Sequence, residues 1–306
     1  MTLLTQAPRT FMGVPFSRDP KGAKAAILGV PFDCGIHPFR IGSREGPDAI
    51  RDQSLLIRPY HPEFGDLNLP EALGLVDCGN VRLTPSRIED AFAATEKAAA
   101  AILEAGAVPV GFGGDGSVSL PLVRAAAQKH PGLCVIHIDS HTDAYRPDPD
   151  HPLDASTQFT FAALEQRVSA TLSYHLGLRG TTMVGGVHDH GRELGYNLIT
   201  LRDYLRRGPE TVAAEIRAAI GDRPVYFSFD MDVFDPSCAP GVATPVWGGL
   251  SSREGLDLIR LFRGMNIVGA DVNTVSPNHD VKGMTAFLAA AVTCEILLLL
   301  CPDPAE

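Results

Sequence analysis

The sequence predicts an α/β fold, a parallel β-sheet with helices packed on both of its faces. Three observations carry that prediction. Short apolar runs rich in Val, Ile and Phe recur along the chain and read as buried strands. Stretches with helical start signals separate most of them, and no Ser/Gly-rich linker or internal repeat breaks the alternation.

Taken in order, residues 1–23 show no periodicity and are expected to form an N-terminal arm on the surface or on a neighbouring subunit. Residues 25–30 are the first predicted strand, leading into Pro31-Phe32-Asp33. Gly42-Ser43-Arg44-Glu45-Gly46-Pro47 then opens a helix with proline at an allowed first-turn position. Residues 53–71 are irregular and Pro-rich, and residues 73–76 read as a short strand. Ser86 with Glu89 is a capping-box start for an Ala-rich helix reaching residue 104. The next strand, 108–112, stops at Gly113-Gly114-Asp115-Gly116-Ser117, and a helix over 119–130 leads into the central strand. Residues 143–158, rich in Pro and Asp, are a loop suited to walling a pocket. Strands are expected at 172–178, 197–200, 223–230 and 266–272, with Ser251 and Glu254 capping the helix before the last. The most hydrophobic segment, 286–301, contains Thr293 and Glu295 and is shorter than a membrane span, so it reads as a packed C-terminal helix.

The central strand is where chemistry is expected. Val135-Ile136-His137-Ile138 runs into Asp139-Ser140-His141-Thr142-Asp143, and in open α/β sheets ligands bind beyond the carboxyl ends of strands. Alternation along an extended chain lets Asp139, His141 and Asp143 project to one side. A strand simply entering a polar turn is the plain alternative. A second run, Val225-Tyr226-Phe227-Ser228-Phe229-Asp230-Met231-Asp232, ends in Asp-x-Asp and brings Asp230 and Asp232 to the same face. Four carboxylates and one imidazole suit Mn²⁺ or a related divalent ion better than structural zinc, and carboxylates able to bridge point to two ions.

Composition narrows the partners. A net charge of −10 and a pI near 5.4 argue against nucleic acid or an anionic membrane surface and favour a cationic substrate. The six cysteines lack paired spacing and read as reduced thiols. No basic segment followed by an apolar one opens the chain, so a cytoplasmic protein is expected.

The motifs carry a family resemblance. Ser228-Phe229-Asp230-Met231-Asp232-Val233-Phe234-Asp235-Pro236-Ser237-Cys238-Ala239-Pro240-Gly241, with Gly248 beyond it, resembles the long signature of the ureohydrolases, the arginase and agmatinase family. Asp139 to Asp143 resembles the family's Asp-x-His-x-Asp motif, and Gly113 to Ser117 its Gly-Gly-Asp-His-Ser motif with one departure. Gly29-Val30-Pro31-Phe32-Asp33, Gly42 to Pro47, Gly177-Leu178-Arg179 and Gly248-Gly249-Leu250 extend the likeness over nearly the whole chain. The resemblance implies a three-layer arginase-like fold as one domain over residues 1–306. It implies a pair of Mn²⁺ ions, Ni²⁺ in some members, and attack of a hydroxide on a guanidinium or related C=N carbon. The substrate is a small cationic guanidine or amidine, and the products are urea or a urea-like fragment and an amine. Carried over, Asp139 and Asp230 bridge the ions, His141 and Asp232 complete one position, and Asp143 belongs to the other. His141 and Asp143 are the candidate catalytic residues. Family members assemble as trimers and hexamers, from one kind of chain or from two related kinds.

Three departures bear on activity. Gly116 stands where the family has a metal-ligating His, which leaves one ion, two, or none as open outcomes. Thr274, in Asp271-Val272-Asn273-Thr274-Val275-Ser276-Pro277, replaces a Glu that pairs with the guanidinium, and a hydroxyl lacks the bidentate grip of a carboxylate. Ala155 holds the place of a loop His. Two readings follow: an active enzyme with altered substrate, or a catalytically impaired subunit that supports an active homologous partner.

Four further features are weighed here. His137, inside an apolar strand, is expected to be a satisfied core residue, and His188 and His190 to belong to a polar loop. Trp247 is a candidate substrate contact at the pocket rim, with buried packing as the alternative. Gly113-Gly114 lacks the Gly-Lys-Ser/Thr of a phosphate loop.

Overall fold

The computed structural model describes residues 9–35, 37 and 39–301. The apolar runs become strands: β1 (Ala25–Val30), β2 (Tyr60–His61), β3 (Leu67–Asn68), β4 (Val76–Asn80), β5 (Val108–Gly113), β6 (Cys134–Ile138), β7 (Tyr174–Leu178), β8 (Asn197–Thr200), β9 (Val225–Asp230) and β10 (Ile267–Asn273). Eight of them form a parallel sheet in the order β4-β1-β5-β10-β9-β6-β7-β8, while β2 and β3 make a separate antiparallel pair. Between them run α1 (Gly46–Ser54), α2 (Leu69–Leu73), α3 (Ile88–Glu104), α4 (Ser119–Lys129), α5 (Gln158–Leu164), α6 (Val187–Glu193), α7 (Leu201–Arg207), α8 (Pro209–Ile220), α9 (Ser252–Arg260) and α10 (Met284–Leu298).

The alternation of side chains along each strand divides the core in two. From β1, Ala25 and Ile27 enter one apolar cluster, and Ala26, Leu28 and Val30 enter the other. In β9 the same rule sends Val225, Phe227 and Phe229 one way and Tyr226 the opposite way. Ile50 of α1, Ile216 of α8, Ile259 of α9 and most of α10 cover the first face; Phe92 of α3, Val123 of α4 and Phe159 of α5 cover the second. Strands this apolar are possible only because both faces are covered. The three-layer α/β expectation is met.

Local expectations fare unevenly. Ser251 and Glu254 do form a reciprocal capping box at α9. Ser86 and Glu89 do not: α3 starts at Ile88 behind an uncapped Arg87. The fourth strand lies later than the apolar pattern suggests, because Leu73 ends α2 and Gly74 turns the chain at φ 52°, leaving Val76–Asn80 to pair with β1. Its polar Asp77 is tolerated at 0% exposure because Arg51 grips it through two bonds of 2.8 and 3.0 Å. Residues 10–14 are not a surface arm either. Phe11 is buried against Phe112, its N–H donates to Asp77 at 2.9 Å, and Thr10 and Val14 are buried beside it. Residues 1–8 of the expected arm lie outside the described residues.

Candidate metal centre

Four neighbouring strands, β5, β10, β9 and β6, release their chains at the same edge of the sheet. From β5 comes Gly113 to Ser117, from β6 Asp139 to Asp143, from β9 Asp230 to Asp232, and from β10 Thr274. β5 and β6 are consecutive in sequence, but β10 and β9 lie between them. That reversal of strand order opens a crevice in a parallel sheet.

Local hydrogen bonds fold each strand end inward. Asp115 accepts from Ser117 N–H and O–H at 3.2 and 2.5 Å and from Cys34 N–H at 2.6 Å, and burial pushes its pKa up to about 6. Asp139 accepts from His141 N–H at 2.6 Å, which turns the chain after β6. Asp230 does the same for Asp232 N–H at 2.7 Å after β9. Asp143 takes φ 47°, a left-handed conformation that Asp tolerates better than most residues.

The result brings most of the sequence-derived ligands together. Asp139, His141 and Asp232 present ligand atoms within 4.8 Å of one another. His141 Nδ1 lies 3.0 Å from Asp232 and 3.4 Å from Asp139. Ser140 holds Asp232 in place, donating from its hydroxyl at 2.7 Å and its N–H at 3.1 Å. Asp139 and Asp143 form a second group with His137. Asp230 falls outside both groups.

Electrostatics set these buried carboxylates against one another. Asp139, Asp143, Asp230 and Asp232 are each at most 6% exposed. Burial, reinforced by neighbouring carboxylates, pushes Asp139 up to about 7 and raises Asp143 and Asp230 well above the ordinary range. Asp232 goes the other way: burial opposes its ionisation, but His141 and the hydrogen bonds to it lower its pKa. Burial likewise opposes a charge on His141, and Asp232 and Asp139 beside it raise its pKa well above normal. Asp139 Oδ2 is buried with no aligned hydrogen-bond donor. A buried carboxylate oxygen that receives no aligned donor, beside an imidazole and a second carboxylate, is the donor set of an oxygen-preferring divalent ion, so one ion fits the Asp139–His141–Asp232 group.

His137 is the buried core residue expected, yet it also touches the site. Its Nε2 lies 2.9 Å from Asp139, its Nδ1 lies 2.8 Å from His175 Nδ1, and burial lowers its pKa to about 3, leaving it neutral. His188 and His190 lie in helix α6, not in a loop. Positions two apart on a helix face different ways, so the pair does not converge. Trp247 is 75% exposed, which overturns the buried alternative.

Five residues at or beside the site carry structural meaning that their sequence context concealed. A Cβ at Gly116 would lie 2.7 Å from Gln158 Nε2, 3.0 Å from Asp143 Oδ2 and 3.2 Å from the Ala155 carbonyl. The Gln158 side-chain amide, 2% exposed at the start of α5, donates to Asp143. Thr274 adopts φ 65°, costly for a β-branched residue, and its hydroxyl donates to Asp230 at 2.5 Å. Arg179 clamps the loop after β9: its Nη2 donates to the carbonyls of Asp232, Phe234 and Val246 at 2.8, 3.1 and 2.7 Å. Gly249 must lack a side chain because a Cβ there would lie 2.5 Å from that guanidinium.

Comparison with known proteins agrees with this geometry. Residues 23–299 match the profile of the Arginase family. The chain is 35% identical over 298 residues to guanidinopropionase of Pseudomonas aeruginosa, covering 97% of this chain and 93% of that one. It is 32% identical over 291 residues to the human mitochondrial guanidino acid hydrolase, covering 95% and 82%. Among solved structures, proclavaminate amidino hydrolase of Streptomyces clavuligerus superposes with a TM-score of 0.92 at 33% identity, covering 98% of this chain and 99% of that one.

Proposed function

This chain belongs to the arginase family, and from that premise we propose that it hydrolyses a C–N bond of a linear guanidine or amidine compound with the help of a divalent cation, by itself or within a complex. The observation that carries the reading is the convergence of Asp139, His141 and Asp232 in a buried carboxylate cluster at the carboxyl edge of the sheet. Those three residues would hold the ion, with Mn²⁺ or Ni²⁺ the candidates from the resemblance. When bound, such an ion supplies Lewis acidity that makes water a nucleophile near neutral pH.

The chain's own residues then set what can enter. Asp143 and Asp230, whose burial and mutual repulsion oppose their ionisation, carry charge more easily with a cation in the crevice and so favour one, in keeping with relatives named for a guanidino acid and for agmatine. Thr274 Oγ1 offers lone pairs to a substrate N–H, and His141, 15% exposed, is the ligand that solvent reaches. A cytoplasmic location and a trimeric or hexameric assembly are part of the same proposal. No helix among the described residues is long and apolar enough to cross a membrane.

The test is urea release from agmatine and a series of ω-guanidino acids, by protein purified alone and loaded with Mn²⁺ or Ni²⁺. Turnover of at least one compound, lost on chelation and in Asp232→Asn, is the expected result. No release from any of them sinks the independent-enzyme reading. The second reading, a supporting subunit, draws on Thr274, whose hydroxyl proton is already given to Asp230 and which leaves no carboxylate for a guanidinium at that position. Its signature is urea release that appears only when an arginase-family chain with an intact Gly-Gly-Asp-His is co-expressed.

A further inference from the structure

Two residues that depart from the family pattern, or that it does not specify, meet the same two carboxylates. In the family arrangement Asp143 and Asp230 face a second ion. Here each receives a neutral hydrogen-bond donor from a side chain: Asp143 from the Gln158 amide, and Asp230 from the Thr274 hydroxyl. We propose that this chain holds one divalent ion, at Asp139, His141 and Asp232, and that Gln158 and Thr274 close the second position with hydrogen-bond donors in place of a cation. The proposal deepens the hydrolase reading and rests on it for the presence of an ion.

The space around Gly116 argues first for closure. A ligating side chain at that position must begin where the Gln158 amide already sits, 2.7 Å from the would-be Cβ. That separation is below any ordinary contact, so a His at 116 requires the Gln158 amide to leave its present place on Asp143. Glycine at 116 and a long amide at 158 therefore read as a matched exchange of volume: one side chain is removed, and its place is taken from across the crevice.

The backbone argues second. Thr274 is held in its left-handed conformation by its N–H to the Gly114 carbonyl at 2.7 Å and its carbonyl from Ala243 N–H at 3.1 Å. The surrounding structure maintains this strained threonine with its hydroxyl on Asp230 Oδ1, an oxygen that also accepts from Asp232 N–H. Asp230 stands outside both convergent groups, so its carboxylate is not gathered with either set of ligand atoms.

Chemistry argues third. An amide N–H and a hydroxyl directed at carboxylates occupy lone pairs that an ion would use, and they present hydrogens toward the place where positive charge would sit. Turning the Gln158 amide to offer Oε1 instead would take the donor from Asp143 and bury the NH₂ where Oε1, itself without a partner, now sits. Gln158 and Thr274 bond to Asp143 and Asp230, not to the Asp139–His141–Asp232 group, which keeps its ligand atoms convergent.

The experiment is the count of Mn²⁺ per chain, by elemental analysis after equilibrium dialysis and by calorimetric titration, on the full-length protein and two variants. The native chain is expected to take one equivalent. Gly116→His alone is expected to stay at one, because the new Cβ meets the Gln158 amide, and Gly116→His with Gln158→Ala is expected to take two. Two equivalents in the native chain overturn the inference and leave the hydrolase reading standing. A Gly116→His protein that gains the second ion as fully as the double variant, or a folded double variant that stays at one, overturns the role given to Gln158. No bound ion in the native chain overturns the inference and the metal-dependent reading together. One ion without urea release upholds the inference and removes the reading. The native count decides the number of ions even where a variant fails to fold.

Discussion

Arg179 offers a way to test how the fold supports the site without touching a ligand. Its Nη2 carries two hydrogens shared among three carbonyls, those of Asp232, Phe234 and Val246. Hydrogen bonds to a charged donor are worth about 1.5–3 kcal/mol net each, so two such donors amount to about 3–6 kcal/mol. Arg179→Met keeps the apolar stem and lets the freed carbonyls partly recover water, which places the expected loss near the lower end, about 3 kcal/mol. The same change releases the backbone of Asp232, and loss of outer support of this kind lowers metal affinity by about ten- to a hundred-fold. Urea unfolding in the presence of a chelator measures the first effect, and calorimetric titration with Mn²⁺ at pH 7 measures the second. A stability change under about 1 kcal/mol, or an unchanged affinity, would refute the claim that this guanidinium ties the loop to the site.

Two other outcomes follow from particular residues. Asp77→Ala leaves buried Arg51 with only Asp48 and Asn80 as partners, and removing one partner of a buried pair costs about 3–5 kcal/mol, read as a lower urea midpoint; a shift near zero would mean that Phe11 and the 10–14 segment are not anchored there. Asp115 has its folded-state pKa raised from 3.8 to about 6, so between those values the folded chain holds a proton that the unfolded chain has lost. Stability contributed by that proton is present below about pH 4 and lost as the pH rises through about 6. At about 1.4 kcal/mol per pKa unit the swing is about 3 kcal/mol. The stability difference between native protein and Asp115→Asn, measured from pH 4 to pH 7, is therefore expected to move in favour of the variant; movement the other way contradicts the burial assigned to this carboxylate.

How far the sequence could be read depends on whether the deciding contact was local. Asp139, His141 and Asp143 follow one strand, and Asp230 and Asp232 follow another, so periodicity alone placed them at strand ends, and the structure brings four of the five into convergent groups. β4 was misplaced because its burial comes from Arg51 reaching Asp77 across 26 residues, a pairing that no local pattern records. Residues 10–14 were taken for an arm because Phe11 finds its partner, Phe112, far along the chain. Gln158 belongs to no motif and marks only the end of the 143–158 loop. The available signal was volume: Gly116 and Ala155 are both small where the family has imidazoles, and space lost at two positions must be filled from a third.

The strand order also has a temporal side. Synthesis runs from the amino end, so β5 and β6 exist long before β9 and β10, which pair between them. Until residue 273 has been made, the half-built sheet has two open, apolar edges where its centre should be, and such edges invite pairing with other chains. The crevice cannot exist on a nascent chain at all. Asp139 and Asp232 follow β6 and β9, which pair directly, but the continuous sheet beneath them waits for β10, and a chain that stops before residue 267 is lost as a sheet, not merely as a catalyst.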